Sequence, residues 1–310
     1  MNIPFFSVII PTYNRASFIK KAIQSVIDQT FTDFELIVID DASNDNTAEI
    51  VQSFSDSRII YVRNETNLER CISRNKGIKL AKGKYICFLD SDDYHLPNHL
   101  DVLYNAIKFK NYPVALFFTN AWNTSLDGNL SERFCPPHSA YNIFHYIVTF
   151  TFNPQRMCIH RSILQEFLFD PNVFVCEDLD LSARIATKYQ IIQVPERTTV
   201  YVHHPDSFTG GDRKKPFKEL ENYRIIFAKP ELRNKIPSKS KRRIISMCFF
   251  HIAIYCEREN QTLLMYNAIL KSFILFPKGY NHKTNKIIFV MFLYNLPIFG
   301  KLIKYLRHRK

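Results

Sequence analysis

The chain has 310 residues, 46% of them hydrophobic and 14% aromatic, with 41 Lys+Arg against 29 Asp+Glu for a formal net charge of +12. That length holds one large domain or two unequal ones, and that composition excludes a disordered or collagen-like chain. The glycines are only Gly77, Gly83, Gly128, Gly210, Gly211, Gly279 and Gly300, so neither a G-x-G-x-x-G dinucleotide fingerprint nor a G-x-x-x-x-G-K-[ST] phosphate loop can be written.

Phe5 to Ile10 is an apolar, β-branched run stopped by Pro11-Thr12-Tyr13-Asn14, which predicts a buried strand and a turn. Phe18, Ile19, Ala22, Ile23, Val26 and Ile27 then fall on one face of an amphipathic helix. A second strand, Phe34 to Ile39, runs into Asp40-Asp41-Ala42-Ser43-Asn44-Asp45, where Ser43 or Asn44 is expected to cap a helix around Thr47 to Phe54. Further strands are expected at Arg58–Val62, Lys84–Leu89 and Val114–Thr119, and helices at Arg70–Ala81 and from about Pro97 to Lys108. Strands alternating with helices predict an α/β domain with a mainly parallel sheet, whose ligands bind outside the carboxyl ends of the strands. Residues 120–210 break the rhythm, with Trp122 expected in a loop and helices near Tyr141–Phe150 and Asp178–Tyr189.

The charge divides unevenly at Gly210: residues 1–210 hold 19 Lys+Arg and 23 Asp+Glu, whereas residues 211–310 hold 22 and 6. A boundary is therefore expected near 211, between a first domain, 1–210 (with halves at about 1–119 and 120–210), and a basic, apolar-rich helical region, 211–310. The seven cysteines form no C-x-x-C pair, and Met1-Asn2-Ile3-Pro4 has no charged stretch before its apolar run. No disulfide framework, zinc ribbon or signal peptide is expected, and a reducing cytoplasmic compartment is.

Two strand ends are acidic, Asp40-Asp41 and Asp90-Ser91-Asp92-Asp93. Carboxylates two residues apart on a strand end share a side, an arrangement that suits a hard divalent cation also held by substrate phosphates. Taken alone, D-x-D also describes a solvated acidic loop. Four segments in order carry more: Ser7-Val8-Ile9-Ile10-Pro11-Thr12-Tyr13-Asn14-Arg15, Val38-Ile39-Asp40-Asp41-Ala42-Ser43-Asn44-Asp45, Arg74-Asn75-Lys76-Gly77 and Phe88-Leu89-Asp90-Ser91-Asp92-Asp93. Together they resemble the ordered motifs of the family 2 glycosyltransferases of GT-A fold, over about residues 5–210.

The resemblance implies an inverting, metal-dependent, hexosyltransferase-type enzyme that uses a nucleotide-sugar, a UDP-sugar by preference, in bacterial cell-surface polysaccharide synthesis, with Mn²⁺ or Mg²⁺ as cofactor. It implies Pro11, Tyr13 and Arg15 lining the nucleotide pocket, Asp41 on the uracil edge, Arg74 near the diphosphate, Asp90 and Ser91 at the donor, and Asp92 on the metal. Asp41 has independent chemistry in its favour, since a carboxylate accepts the imide N–H of uracil. Cys176-Glu177-Asp178 resembles the family's acidic pair, with Asp178 as the base that takes the acceptor proton, although two acids also suit a helix N-terminus. Asp180 and Arg184 are expected to pair at i, i+4. Tyr201-Val202-His203-His204-Pro205-Asp206-Ser207 fits a further segment of the family, with His204 as a metal ligand or a donor to the leaving group, and Gly210-Gly211 would suit a loop closing over the donor. The family usually carries a glycine after the position of Asn67, where this chain has Leu68-Glu69-Arg70.

The apolar stretch Ile287 to Gly300 is shorter than the ~20 residues a spanning helix needs and contains Pro297, which predicts an interfacial anchor. With the Lys/Arg clusters Arg213-Lys214-Lys215 and Lys239 to Arg243 and the cationic end Lys304 to Lys310, it predicts a peripheral enzyme on an anionic inner membrane surface, working on a saccharide or lipid-linked acceptor. An ordinary helical subdomain is the competing reading of that region. The rival functions are a sugar nucleotidyltransferase, disfavoured by the lack of Gly in Pro11 to Arg15, and a non-catalytic membrane- or nucleic-acid-binding protein. Nucleic acid is not expected as a partner, because no recognised binding motif accompanies the basic residues.

Overall fold

The computed structural model describes residues 3–125, 128–150, 152–205 and 215–276. They divide between two compact units, Met1–Gly211 and Asp212–Lys310.

In the first unit, nine strands form one sheet: β1 (Phe6–Thr12), β2 (Phe34–Asp40), β3 (Ile59–Arg63), β4 (Tyr85–Phe88), β5 (Tyr94–His95), β6 (Ala115–Ser125), β7 (Leu130–Glu132), β8 (Met157–His160) and β9 (Gln190–His203). The order is β3-β2-β1-β4-β8-β6-β9-β5, with β7 paired to β6. The first four strands are parallel, with Val8 opposite both Leu36 and Cys87. β8 is antiparallel to β4 and β6, while β6 and β9 run parallel through a register shift at Thr119–Ala121. This is an α/β sheet whose first four strands are parallel, as the alternating pattern predicts.

The helices of this unit are α1 (Ala16–Ile27), α2 (Thr47–Gln52), α3 (Glu69–Leu80), α4 (His99–Phe109), α5 (Ile143–Phe150), α6 (Arg161–Glu166) and α7 (Glu177–Ile185). Ile19, Ala22, Ile23 and Val26 of α1, Val51 of α2 and Leu100, Leu103 and Ile107 of α4 form one buried core with Val8, Ile10, Leu36 and Val38. The apolar face read from the sequence is thus the face that closes the sheet, and burial of each of its Ile, Val and Leu side chains contributes about 1.5–3 kcal/mol. α3 packs on β1 and β2, and Gly77 makes that approach possible: a Cβ there would lie 2.5 Å from Ile9 Cγ2.

Three local expectations are corrected. Trp122 lies within β6, opposite Val200 and Glu132, because pairing on both sides carries that strand to Ser125; its indole N–H donates to the Arg197 carbonyl at 3.2 Å. α7 ends at Ile185, short of Tyr189. Neither Ser43 nor Asn44 caps α2, whose N-cap is Asn46; instead Asp45 Oδ2 accepts from Ala16 N–H at 3.0 Å and its Oδ1 from Thr47 N–H at 3.1 Å, so one carboxylate meets the first N–H of both α1 and α2. Ser43 and Asn44 turn instead to the loop after β1, where Ser43 Oγ accepts from Asn14 N–H and Asn44 N–H donates to Asn14 Oδ1.

The second unit contains α8 (Lys215–Ala228), α9 (Ser238–Arg258) and α10 (Thr262–Leu275). Asn260, at φ 57°, takes the left-handed conformation in the three-residue turn between α9 and α10. Ala253 and Ser246 of α9 and Ala268 and Ser272 of α10 are buried, small residues that let two backbones approach. Ser246 and Ser272 exchange bonds there, each hydroxyl donating to the other residue's carbonyl at 2.8 and 2.9 Å. No described helix is long and apolar enough to cross a membrane. Residues 206–214 and 277–310, including Gly210-Gly211, the Ile287–Gly300 stretch and the terminal cationic run, lie outside the described residues.

Candidate active site

Because β1, β2 and β4 are parallel, the segments that follow them leave the sheet at one edge, and these carry three of the sequence motifs, the fourth lying in α3. The first two are stapled by the Asn14 and Asp45 bonds and by Arg15 N–H to Thr47 Oγ1 at 3.0 Å. Asn14 (φ 50°), Ala42 (φ 65°) and Cys176 (φ 69°) hold left-handed backbone here. That conformation costs a residue with a Cβ about 1–2 kcal/mol, and such positions concentrate at ligand sites.

Asp41 is buried at the end of β2, and its backbone N–H donates to the Thr12 carbonyl at 2.8 Å. Its Oδ1 accepts from Asn64 Nδ2 at 2.7 Å and from Leu68 N–H at 2.9 Å. The loop lacking the family's glycine therefore still wraps this carboxylate, through Leu68, and Glu69 adopts the left-handed conformation (φ 69°) that a glycine takes freely. Pro11 sits in β1 opposite Ile39, and Tyr13 beyond it is 41% exposed.

After β4, Asp90 Oδ1 accepts from Arg74 Nη2 at 2.6 Å, and Ser91 is buried. Asp92 Oδ2 lies 3.2 Å from His204 Nε2 and 3.8 Å from Arg15 Nε. The His204 ring stacks on Phe18 of α1 with centroids 4.2 Å apart. Asp93 is buried and clamps the neighbouring strand: its Oδ1 accepts from Val202 N–H at 2.8 Å and its Oδ2 from Gln155 Nε2. Burial, with the charges of Asp92 and Asp90, pushes the Asp93 carboxyl well above the usual range. Through Asp93, the end of β9 that bears His204 is held beside the loop that bears Asp92.

The residues fit a divalent cation in part. Two ligands at right angles on an ion with bonds of roughly 2.1 Å stand about 3 Å apart, close to the Asp92–His204 separation of 3.2 Å. One carboxylate and one imidazole suit Mn²⁺ or Mg²⁺, the imidazole favouring the former. Among the described residues no group of three His, Cys, Asp or Glu surrounds one point. Among the described residues Asp92 and His204 are the two that would hold such an ion, with donor phosphates and water completing its shell. His204 Nδ1 is buried without a hydrogen-bond partner, so the ring is held by stacking and by its Asp92 contact.

Glu177 and Asp178 open α7 and are both buried. Arg74, expected beside the diphosphate, is 2% exposed and faces carboxylates: its Nη1 donates to Glu177 Oε1 at 2.9 Å while its Nη2 holds Asp90. Asp178 Oδ1 accepts from Leu179 N–H at 2.7 Å. Burial first, and then the Glu177 charge, pushes the Asp178 carboxyl up to about 7, against the opposing pull of that N–H and of Arg74. A carboxylate that takes a proton near neutrality is matched to general-base work. Arg184 Nε donates to Asp180 Oδ2 at 2.8 Å, the i, i+4 pair read from the sequence.

The fold thus gathers Arg15, Asp92 and His204 into one group and Asp90, Arg74, Glu177 and Asp178 into another, with Asp41 in its own cradle. Sequence reading passed over Phe18, Asn64, Asp93 and Gln155. Phe18 had a signal, but its spacing reads as core. Gln155 had none, since it meets Asp93 only through the pairing of β8 and β9 around β6.

Residues 7–168 match the profile of the family described as Glycosyl transferase family 2, just over half of the chain. An uncharacterised glycosyltransferase of Methanocaldococcus jannaschii is 28% identical over 264 residues, covering 82% of this chain and 89% of its own. The putative colanic acid biosynthesis glycosyl transferase WcaA of Escherichia coli is 27% identical, covering 76% and 90%. Among solved structures, TarS of S. aureus in complex with UDP-GlcNAc aligns with a TM-score of 0.64 at 21% identity, over 88% of this chain and 82% of that one. The mannosyltransferase PcManGT of Pyrobaculum calidifontis, in complex with GDP-Man and Mn²⁺, aligns with a TM-score of 0.59 at 19% identity, over 96% and 83%. The profile, the curated relatives and the shared fold agree with the four ordered motifs: this chain belongs to glycosyl transferase family 2, and it is a glycosyltransferase.

Proposed function

We propose that the enzyme moves a sugar from a nucleoside-diphosphate donor, a UDP-sugar by preference, to a hydroxyl of a saccharide or lipid-linked acceptor in cell-surface polysaccharide synthesis, with inversion at the anomeric carbon. The observation that carries this reading is Asp178: a buried carboxyl with its proton affinity raised to about 7, at the start of a helix joined through Glu177 and Arg74 to the Asp90 loop. A UDP-glucose glucosyltransferase of E. coli, WfgD, whose name gives a diphosphoundecaprenol-linked acceptor, is 43% identical over 115 residues, 35% of this chain, and supports the choice of donor and acceptor.

In this reading Asp41 accepts the imide N–H of the base, Tyr13 stacks on it over Pro11, and Arg15 faces the phosphates. Asp90 and Ser91 contact the ribose side of the donor. Asp92 and His204 hold a Mn²⁺ or Mg²⁺ ion, which when bound supplies positive charge to the leaving diphosphate. Asp178 takes the acceptor proton as the hydroxyl oxygen attacks from the face opposite the leaving group. The remaining contribution of the protein is alignment of donor and acceptor.

A membrane surface as partner rests on the second unit, where α10 exposes Leu263 (85%), Leu270, Phe273 and Ile274 and α9 begins with Lys239, Lys241, Arg242 and Arg243. An amphipathic helix beside cationic residues suits an anionic interface.

Incubation with UDP- and GDP-sugars, with and without Mn²⁺, tests the donor assignment through slow donor hydrolysis. Turnover of one donor that Asp92→Ala abolishes is the expected result. No turnover of any donor, with nucleotide binding unchanged in Asp92→Ala, overturns the reading.

A further inference from the structure

Arg74 is placed unlike a residue that waits for a phosphate. It faces the Phe169 ring at 5.2 Å, and its two terminal nitrogens bind carboxylates that stand 103 and 16 residues away in the chain, Glu177 and Asp90. A guanidinium is a rigid planar fork, so two carboxylates bound to its two ends take up a fixed separation, which a lysine ammonium cannot impose. Buried pairs of this kind do not reliably add stability, and their best-attested use is to fix one arrangement among several.

The neighbourhood of Asp178 shows what this arrangement serves. Glu177 stands beside it in α7; Arg74 and Arg70 approach Glu177 from α3, at 2.9 and 3.8 Å; Asp90 comes from the loop after β4. α5, which packs on α7, carries His145 and Tyr146 as its titratable side chains and no carboxylate or guanidinium. Arg74 is the buried cation that opposes the charge of Glu177 on the base, while its other end holds a residue of the donor loop.

We infer that Arg74 is a positioning residue that locks Glu177, and through it Asp178 at the start of α7, to Asp90 in the donor loop. The acceptor-activating and donor-holding segments, which are far apart in the sequence at Glu177 and Asp90, then keep one spacing. The inference rests on the proposed roles of Asp178 and Asp90.

The test compares Arg74→Ala, Arg74→Lys and Arg74→Ala/Glu177→Gln with wild type. It measures kcat and donor KM across the neutral pH range, with UDP binding by calorimetry. Misplacement of reacting groups by an ångström lowers turnover by about 10²-fold, so Arg74→Ala is expected to lower kcat by about that factor with UDP affinity retained. The midpoint of its pH–kcat profile moves upward, because Glu177 stands uncompensated beside the base. Adding Glu177→Gln brings the midpoint back down without restoring kcat. Arg74→Lys keeps the midpoint near that of wild type and has reduced kcat, since it preserves charge and loses the fork.

A loss confined to donor KM and UDP affinity, with kcat and midpoint unchanged, makes Arg74 a phosphate ligand and overturns the inference. If Arg74→Ala does not fold, wild-type kcat in Arg74→Lys overturns it equally. Retention of pH-dependent turnover in Asp178→Asn overturns the base assignment instead, and leaves the Arg74 lock to be judged on the kcat and KM split.

Discussion

The two units handle charge in opposite ways. In the first, Asp40, Asp41, Arg74, Asp93, Glu177, Asp178 and Asp180 are all buried, and each has a hydrogen-bond partner supplied by another side chain or by the backbone. In the second, Lys239 and Arg242 of α9 are exposed and Lys241 and Arg243 half-buried, and the helix crossing is closed by serine and alanine. A charge removed from water must be paired or hydrogen-bonded, so the first unit has room for substitution at few of these positions. In the second the charges that do make contacts lie nearer the surface: Lys241 donates to the Arg233 carbonyl and lies over the Phe227 ring. The proposed catalytic group draws on the buried charges of the first unit, and the proposed surface contact on the more exposed charges of the second.

The largest expected break in that contrast is Asp178→Asn. Loss of a general base lowers turnover by about 10²–10⁴-fold, and wild-type kcat is expected to rise with pH to a plateau above about 7, a dependence the variant loses. Stability moves the other way. The Asp178 carboxyl holds its proton more tightly folded than at its ordinary 3.8, so wild-type stability is greatest below that value and falls as pH rises toward about 7. Asp178→Asn should therefore melt higher than wild type at pH 8, with the gap closing in acid; a constant gap would sink the assignment of that titration to Asp178.

In the second unit, neutralising Lys239, Lys241, Arg242 and Arg243 together should weaken retention on anionic vesicles by about 1 kcal/mol per residue, with donor hydrolysis in solution retained. Sedimentation with vesicles at low and high salt reads this directly, and undiminished retention would refute surface attraction through these residues. A smaller effect is expected at Gly77→Ala, whose new methyl meets Ile9 and should destabilise the first unit by about 1–3 kcal/mol, seen as a lower denaturant midpoint. The smallest concerns Glu69→Gly, which relieves a left-handed backbone and should raise stability by up to about 1 kcal/mol, with the Leu68 to Asp41 bond and activity kept. A loss of stability there would show that the Glu69 side chain contributes more than its backbone strain costs.

Much of the first unit was legible in the chain itself. Apolar runs of strand length, the helical spacing of Phe18 to Ile27 and the acidic strand ends predict a parallel α/β sheet with its site at one edge, because periodicity and turn chemistry are local properties. Asp41, Asp92, Asp178 and His204 could be named as candidates from the family motifs, which are also local stretches of sequence. Trp122 and the contacts at the helix starts could not be placed that way: β6 continues only because β7 and β9 pair with it, and Asp45 meets the first N–H of two helices only because the loops after β1 and β2 lie side by side.

Arg74 divides the two kinds of knowledge most clearly. Its sequence context pointed to a phosphate, since charge and motif are all that a string of residues records. That its two ends meet Glu177 and Asp90 was decided by tertiary structure, which brings α3, α7 and the end of β4 together around a guanidinium shielded from water. Residue types determined which chemistry was available to this protein; burial and the meeting of distant segments decided which carboxylate would carry a proton near neutral pH.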